Sequence, residues 1–345
     1  MADARIIGQS GDEVHGAEGS LVSRRQFVRT VGAGVLAAAA PMPGRIASAA
    51  DVGPTRSAPA ETTVGRLYKT LNAEQRKLLC FPFDHPLRSR VGNNWAIVKP
   101  TIGEMTNEQQ ALCREIMKNI TSEEGYERFM KQMDDDDGGL ESYHVAMFGE
   151  PGSDRPFEWV LSGRHDTLRA DGNSVDGVAF GGPIFYGHAA DGHNTEDAKH
   201  THNVWWYQGE QANKIFQTLD EKQRAQALVA KAEPDTPASI RLRGDKLSSV
   251  TTGIDVAGLD GQQKVMVRDL LEMMLRPFRA VDVAEVHECL DLNGGVDKMR
   301  ITYFQEGDLG KDGVWDIWKL EGPAFAWYFR GSPHAHVWLN VAKKA

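Results

Sequence analysis

The chain has 345 residues, 39 Lys and Arg against 48 Asp and Glu, and a formal net charge of −9. An acidic chain with no basic cluster argues against nucleic acid and anionic membrane surfaces as partners. Its three cysteines, Cys80, Cys113 and Cys289, are too few for a disulfide framework and read as buried thiols in apolar helical surroundings.

The N-terminus carries three parts in order. Ser23-Arg24-Arg25-Gln26-Phe27 is a twin-arginine signature, Val31 to Pro41 is weakly apolar and rich in Ala and Gly, and Ala47-Ser48-Ala49 is a small-x-small cleavage site. The apolar stretch is too short for a transmembrane helix. Residues 1–49 are therefore expected to be a signal peptide, read by the twin-arginine translocase and cleaved after Ala49. The destination is periplasmic or extracellular. No cysteine lies near the cleavage site, so no lipid or other membrane anchor is expected. This export route carries folded proteins, often loaded with a cofactor beforehand.

Residues 50–62, rich in Pro, Ala, Ser and Thr, read as a linker, and 63–345 as an α+β globule. The globule reads as an internal duplication, with pseudo-repeats at about 66–208 and 209–345. Leu71-Asn72-Ala73-Glu74-Gln75-Arg76 recurs as Leu219-Asp220-Glu221-Lys222-Gln223-Arg224, each a helix start with an Asn or Asp cap. A second start lies at Asn107-Glu108-Gln109-Gln110 and at Asp260-Gly261-Gln262-Gln263. Apolar residues follow at helical spacing: Leu112, Ile116 and Ile120, then Val265, Leu270 and Met274.

Strands come next in both stretches. Gly138-Gly139 leads to Val145, Phe148 and Glu150; Gly294-Gly295 leads, without gaps, to Ile301, Phe304 and Glu306. After a turn, Trp159-Val160-Leu161-Ser162-Gly163 is answered by Trp318-Lys319-Leu320-Glu321-Gly322 as the return strand of a hairpin. Helices followed by hairpins predict antiparallel sheet packed by helices, with the two halves related by an approximate two-fold axis.

Histidine is the residue type that carries chemistry. His334 and His336 have strand spacing, which places both side chains on one face. Two neutral imidazoles so placed can reach one Zn, Cu or Fe ion. His165 and His188 follow Gly-containing turns near strand ends and are candidates for the remaining ligands. His200-Thr201-His202 has the same spacing but lies in a polar run that reads as a loop. His85, between Asp84 and Pro86, reads either as a turn residue or as part of a cleft. His287-Glu288-Cys289 lacks the second histidine of a zinc-protease helix, and Asp134 to Asp137 misses the calcium-loop pattern and reads as a solvated acidic turn. Glu158 and Asp166 are carboxylates placed to act as ligands, bases or partners of histidine rings.

Trp159-Val160-Leu161-Ser162-Gly163-Arg164-His165, the run Phe180 to His188, and Leu320-Glu321-Gly322-Pro323 through Pro333-His334-Ala335-His336 together resemble a bacterial family. That family is catalogued as domain of unknown function number three thousand five hundred, and many members carry export signals. The resemblance spans about Arg66 to the C-terminus. Typical members have Gly-His-His where this chain has Gly163-Arg164-His165. The resemblance implies the histidine positions and no reaction. Arg164 beside them reads as a bidentate site for a substrate carboxylate or phosphate, or as a surface ion pair.

Three functions fit these residues. The first is an exported metal-dependent enzyme, hydrolase or oxidase. The second is a non-catalytic protein binding a small molecule or metal. The third is a partner-binding module, favoured if Trp205, Trp206 and Tyr207 are exposed.

Overall fold

The computed structural model describes residues 57–190, 202–309 and 313–345. The twin-arginine motif, the cleavage site and His200 lie outside them.

Local capping explains where the helices start. The Asn72 side chain accepts from the Gln75 N–H, and the Gln75 side chain accepts from the Asn72 N–H, opening α2 (Ala73–Leu79). Asp220 and Gln223 do the same for α6 (Glu221–Ala227), and Asp260 and Gln263 for α7 (Gly261–Leu275). A further box opens α3 (Asn107–Ile120) and is made by Thr106 and Gln109. Asn107, expected as the cap, is the first helical residue, because the Thr106 hydroxyl is the group three residues before Gln109.

These boxes are tied in pairs. Gln75 donates to Gln109 at 2.8 Å and Gln223 to Gln263 at 3.2 Å. Gln109 and Gln263 in turn donate to the carbonyls of Thr70 and Thr218, at the ends of α1 (Pro59–Thr70) and α5 (Trp206–Thr218). Helix α1 starts inside the stretch read as linker. Pro59 sits where its missing N–H costs nothing, and Ala60, Val64 and Leu67 are buried. The remaining helices are α4 (Glu123–Asp137) and α8 (Ala280–Leu292).

The strands are β1 (Cys80–Phe81), β2 (His144–Gly149), β3 (Phe157–Gly163), β4 (Asp166–Ala170), β5 (Ile184–His188), β6 (Leu228–Val229), β7 (Ile254–Asp255), β8 (Arg300–Phe304), β9 (Ile317–Gly322), β10 (Phe325–Arg330) and β11 (Ala335–Val341). They form one mixed, mostly antiparallel sheet in an α+β fold. The order is β1-β2-β3-β4-β5-β11-β10-β9-β8-β6, with β7 beside β8, so it reads alike from both ends. Register matches too. Trp159 faces Met147 and Ala170 across the strands, and Trp318 faces Tyr303 and Phe329. The end strands β1 and β6 pair in parallel with β2 and β8, which the antiparallel expectation missed. Cys80 accordingly opens a strand and is half-buried, whereas Cys113 and Cys289 are buried as expected.

Alternation divides the side chains between two layers. Trp159, Leu161, Tyr186, Trp327, Val337 and Leu339 join the large core beneath the helices. On the other face, Trp95 and Ile97 pack with Ala146, Phe148 and Val160, and Ile240 packs with Phe185, Tyr328 and Trp338. Trp205 and Trp206 are buried, so they form no docking surface. No helix among the described residues is long and apolar enough to cross a membrane.

Candidate metal centre

The turn between β3 and β4 consists of Arg164 and His165, closed by the pairing of Gly163 with Asp166. His165 adopts φ 59°, the left-handed region that glycine prefers and that costs a side chain of order 1–3 kcal/mol. Its N–H is held by the Asn93 carbonyl at 2.8 Å. Gly163 is needed there, because a Cβ would lie 2.3 Å from the Tyr143 ring. This turn aims the imidazole at the start of β11.

His334 and His336 meet it. The sequence placed both on one strand, but β11 begins at Ala335, so His334 lies in the connection just before it. The rings still converge. Centroids are 4.9 Å apart for His165 and His334, 5.0 Å for His165 and His336, and 4.6 Å for His334 and His336. One ring nitrogen from each lies within 4.8 Å of the other two. Opposite His336 across the β5–β11 pairing stands Gly187. A Cβ at Gly187 would sit 2.4 Å from the Ala335 oxygen and 3.2 Å from the His336 ring, so only glycine leaves room.

Two carboxylates hold the rings from behind. His165 Nδ1 lies 2.7 Å from Asp136 Oδ2, and His336 Nδ1 lies 2.8 Å from Asp235 Oδ2. A carboxylate accepts only, so each Nδ1 carries a proton, which leaves Nε2 as the ligand atom of a neutral ring. The Nε2 atoms of His336 and His334 are 2.9 Å apart, and His334 Nδ1 is buried without a partner among the described residues. Imidazoles bound to one tetrahedral ion at about 2.0–2.1 Å would place their nitrogens roughly 3.3 Å apart. The His334–His336 spacing is close to that value, the three nitrogens together lie within 4.8 Å, and the donor set suits Zn, Cu or Fe.

Burial and neighbouring charge keep the His334 and His336 rings neutral. Burial, with His336, His165 and Arg330 beside it, lowers the His334 pKa from 6.5 to about 3. For His336 burial is again the chief cause; the Asp235 hydrogen bond opposes it and Arg330 adds to it, leaving about 4. Burial would raise Asp235, but the His336 hydrogen bond and the charges of His336 and Arg330, with Trp338 donating as well, hold it down to about 2.

The other sequence candidates take different places. His188 is committed: Nε2 lies 3.1 Å from Asp135 Oδ2, and Nδ1 accepts from the Val204 N–H. It stands outside the three-histidine group. Glu158 is fully buried in ion pairs with Arg88 and Arg169 on the opposite side of β3 from Trp159. Asp166 accepts from Gln132; burial and then the charge of Asp136 raise its pKa well above the usual carboxylate value. Arg164, with its side chain 41 % exposed, sits at the rim, its Nε 3.8 Å from Asp136. His85 proves to be a turn residue, capping the short helical turn at Pro86–Ser89 through Nδ1.

Sequence reasoning missed Asp136, Asp235 and Arg330. It read Asp134 to Asp137 as a solvated turn, whereas these residues form the last turn of α4 and the Asp136 side chain is fully buried. The Ala189 N–H and the His165 ring take its two oxygens. A signal existed: four acids at a helix C-terminus oppose the macrodipole, so something else must favour them there. Asp235 and Arg330 carried no comparable signal.

A family model described as a protein of unknown function (DUF3500) matches residues 55–326. The match includes His165 and ends before His334 and His336. No curated protein and no solved structure matches the chain.

Proposed function

The chain belongs to the DUF3500 family, and from that premise and the geometry of the histidine cluster we propose that it is a metal-dependent enzyme, a hydrolase or an oxidase. His165, His334 and His336 hold one transition-metal ion. The observation that carries this reading is the convergence of three ring nitrogens within 4.8 Å, two of them oriented by buried or half-buried carboxylates. His188 supplies no fourth ligand, because both its nitrogens are engaged. A three-histidine site keeps a coordination position open, as catalytic sites do and closed structural sites do not. A bound metal would supply Lewis acidity or an activated water there. Asp136 and Asp235 orient the rings, and Arg164 stands at the rim.

Metal analysis of protein purified without an affinity tag tests this. One Zn, Cu or Fe per chain, lost on His336→Ala, is the expected result. Stoichiometric metal with no exchangeable water on it points instead to a non-catalytic metal-binding protein. No metal, under conditions that load other proteins, overturns the site.

The protein is exported through the twin-arginine translocase and cleaved after Ala49, on the strength of Arg24-Arg25 and Ala47-Ser48-Ala49. Arg24→Lys with Arg25→Lys is expected to keep it in the cytoplasm, and Met1 at the N-terminus of exported protein would refute cleavage. The two halves descend from one duplicated unit; matched capping boxes and strand register support this.

A further inference from the structure

Arg330 ends β10 directly across from His336 in the β10–β11 pairing. Its guanidinium is divided between two tasks. Nη1 is fixed to Asp235 Oδ2 at 2.9 Å, the same oxygen that holds His336 Nδ1. The opposite edge, Nε and Nη2, has almost nothing. Among the described residues Nε is buried without a partner, and Nη2 reaches only His336 Nε2, at a long 3.3 Å.

That acceptor is the lone pair a metal ion would take. Once His336 Nε2 is a ligand, the whole Nε/Nη2 edge of Arg330 lacks an acceptor among the described residues while lying beside the ion. A buried N–H without an acceptor costs of order 1–3 kcal/mol, so the site needs a group to satisfy it. Two parallel N–H donors on one guanidinium edge match the two oxygens of a carboxylate, phosphate or sulfate. Local charge agrees. Asp136 and Asp235 are offset by Arg330 and Arg164, so a divalent ion would leave the centre positive.

On the strength of the metal reading above, we propose that the substrate of this centre is a small oxyanion, or a molecule ending in one. One oxygen occupies the open metal position, and the Nε/Nη2 edge of Arg330 binds the group bidentately. Arg164, exposed at the rim, guides it in. Asp235 is a positioning residue, since it fixes both the guanidinium and the imidazole.

Cobalt(II)-substituted full-length mature protein provides the test, with visible d–d absorption as the readout. Acetate, phosphate and sulfate are titrated in turn, with neutral imidazole as the comparison. Oxyanions are expected to shift the spectrum at lower concentration than imidazole does, and the rank of acetate against phosphate tells a carboxylate site from a phosphate or sulfate site. Arg330→Gln is expected to weaken oxyanion binding roughly 10- to 100-fold, with imidazole binding and cobalt stoichiometry retained. Arg330→Lys, which keeps the charge and loses the fork, is expected to weaken it also, and it covers the case in which the Gln variant misfolds. Cobalt that binds stoichiometrically but ignores oxyanions in the unmutated protein overturns this inference alone. Cobalt that does not bind at all overturns the metal reading with it.

Discussion

Between β3 and β4 the chain turns through Arg164 and His165; between β9 and β10 it turns through Pro323 and Ala324. Both turns are closed by the same pairing, Gly163 with Asp166 and Gly322 with Phe325. The difference lies in what each tolerates. His165 is held at φ 59°, whereas Ala324 is not among the residues with positive φ. His165 faces Asp136, His334 and His336. By the offset that maps Trp159 onto Trp318, the place of Arg330 is taken in the other half by Asp171, a buried acid whose pKa burial and then Glu158 raise to about 7. Of these two matched turns, only the one where histidines gather holds a side chain in the left-handed region, as strained backbone at a functional site does.

The largest effect that would break this contrast is loss of metal. His165→Ala, His334→Ala and His336→Ala are each expected to weaken metal binding more than roughly 100-fold, beyond what outer partners contribute. Ala324→His is expected to add no second ion. Dialysis followed by elemental analysis decides both, and two ions per chain in Ala324→His would sink the contrast.

The scaffold itself should respond equally in both halves. Trp159 and Trp318 are fully buried at matching register, so Trp159→Ala and Trp318→Ala are each expected to cost about 3–5 kcal/mol in denaturant unfolding. A marked disagreement between the two would mean that the halves are not equivalent in packing.

Asp136→Asn and Asp235→Asn sharpen the comparison from behind the ligands. Each is expected to weaken metal affinity roughly 10- to 100-fold, because an amide no longer fixes the ring tautomer. His188→Ala and His287→Ala are expected to leave metal content unchanged in competitive titration, since His188 lies outside the group and His287 pairs with Glu272 on a helix surface.

Acidity separates the folded site from free histidine. His334 and His336 are lowered from 6.5 to about 3 and about 4. Between pH 6.5 and those values the unfolded chain takes protons that the folded chain refuses. The metal-free protein is therefore expected to lose stability as pH falls through that window. Because His334 and His336 resist protonation well below pH 6.5, protons are expected to compete with the metal less than at histidines of ordinary pKa. Metal content across a pH series checks this, and release centred at 6.5 would show that burial does not protect the rings.

The smallest effects lie at the caps. Asn72→Ala and Asp220→Ala are each expected to cost about 0.5–2 kcal/mol, with similar values in the two halves. Unfolding midpoints of the two variants and of the double variant measure them.

Much of the fold was legible in the chain because its causes are local. A capping box needs only two residues three apart, and Asn72, Asp220 and Asp260 declare theirs. Strand alternation places Val145 and Met147, and Ile301 and Tyr303, in the core without knowledge of what covers them. His165, His334 and His336 could be named because their residue type and turn or strand spacing are also local. What only the tertiary structure decided is which distant groups meet. The parallel pairing of β1 with β2 joins residues 67 apart, from Cys80 to Met147, and no local pattern encodes it. Asp136 reaches His165 because α4 ends over the β3–β4 turn, and Asp235 reaches His336 from about a hundred residues away. His188 was a candidate fourth ligand by the same local signal as His165, but its neighbours Asp135 and Val204 engage both its nitrogens. A side chain's type follows from the sequence, but its protonation and its partners follow from what burial packs around it.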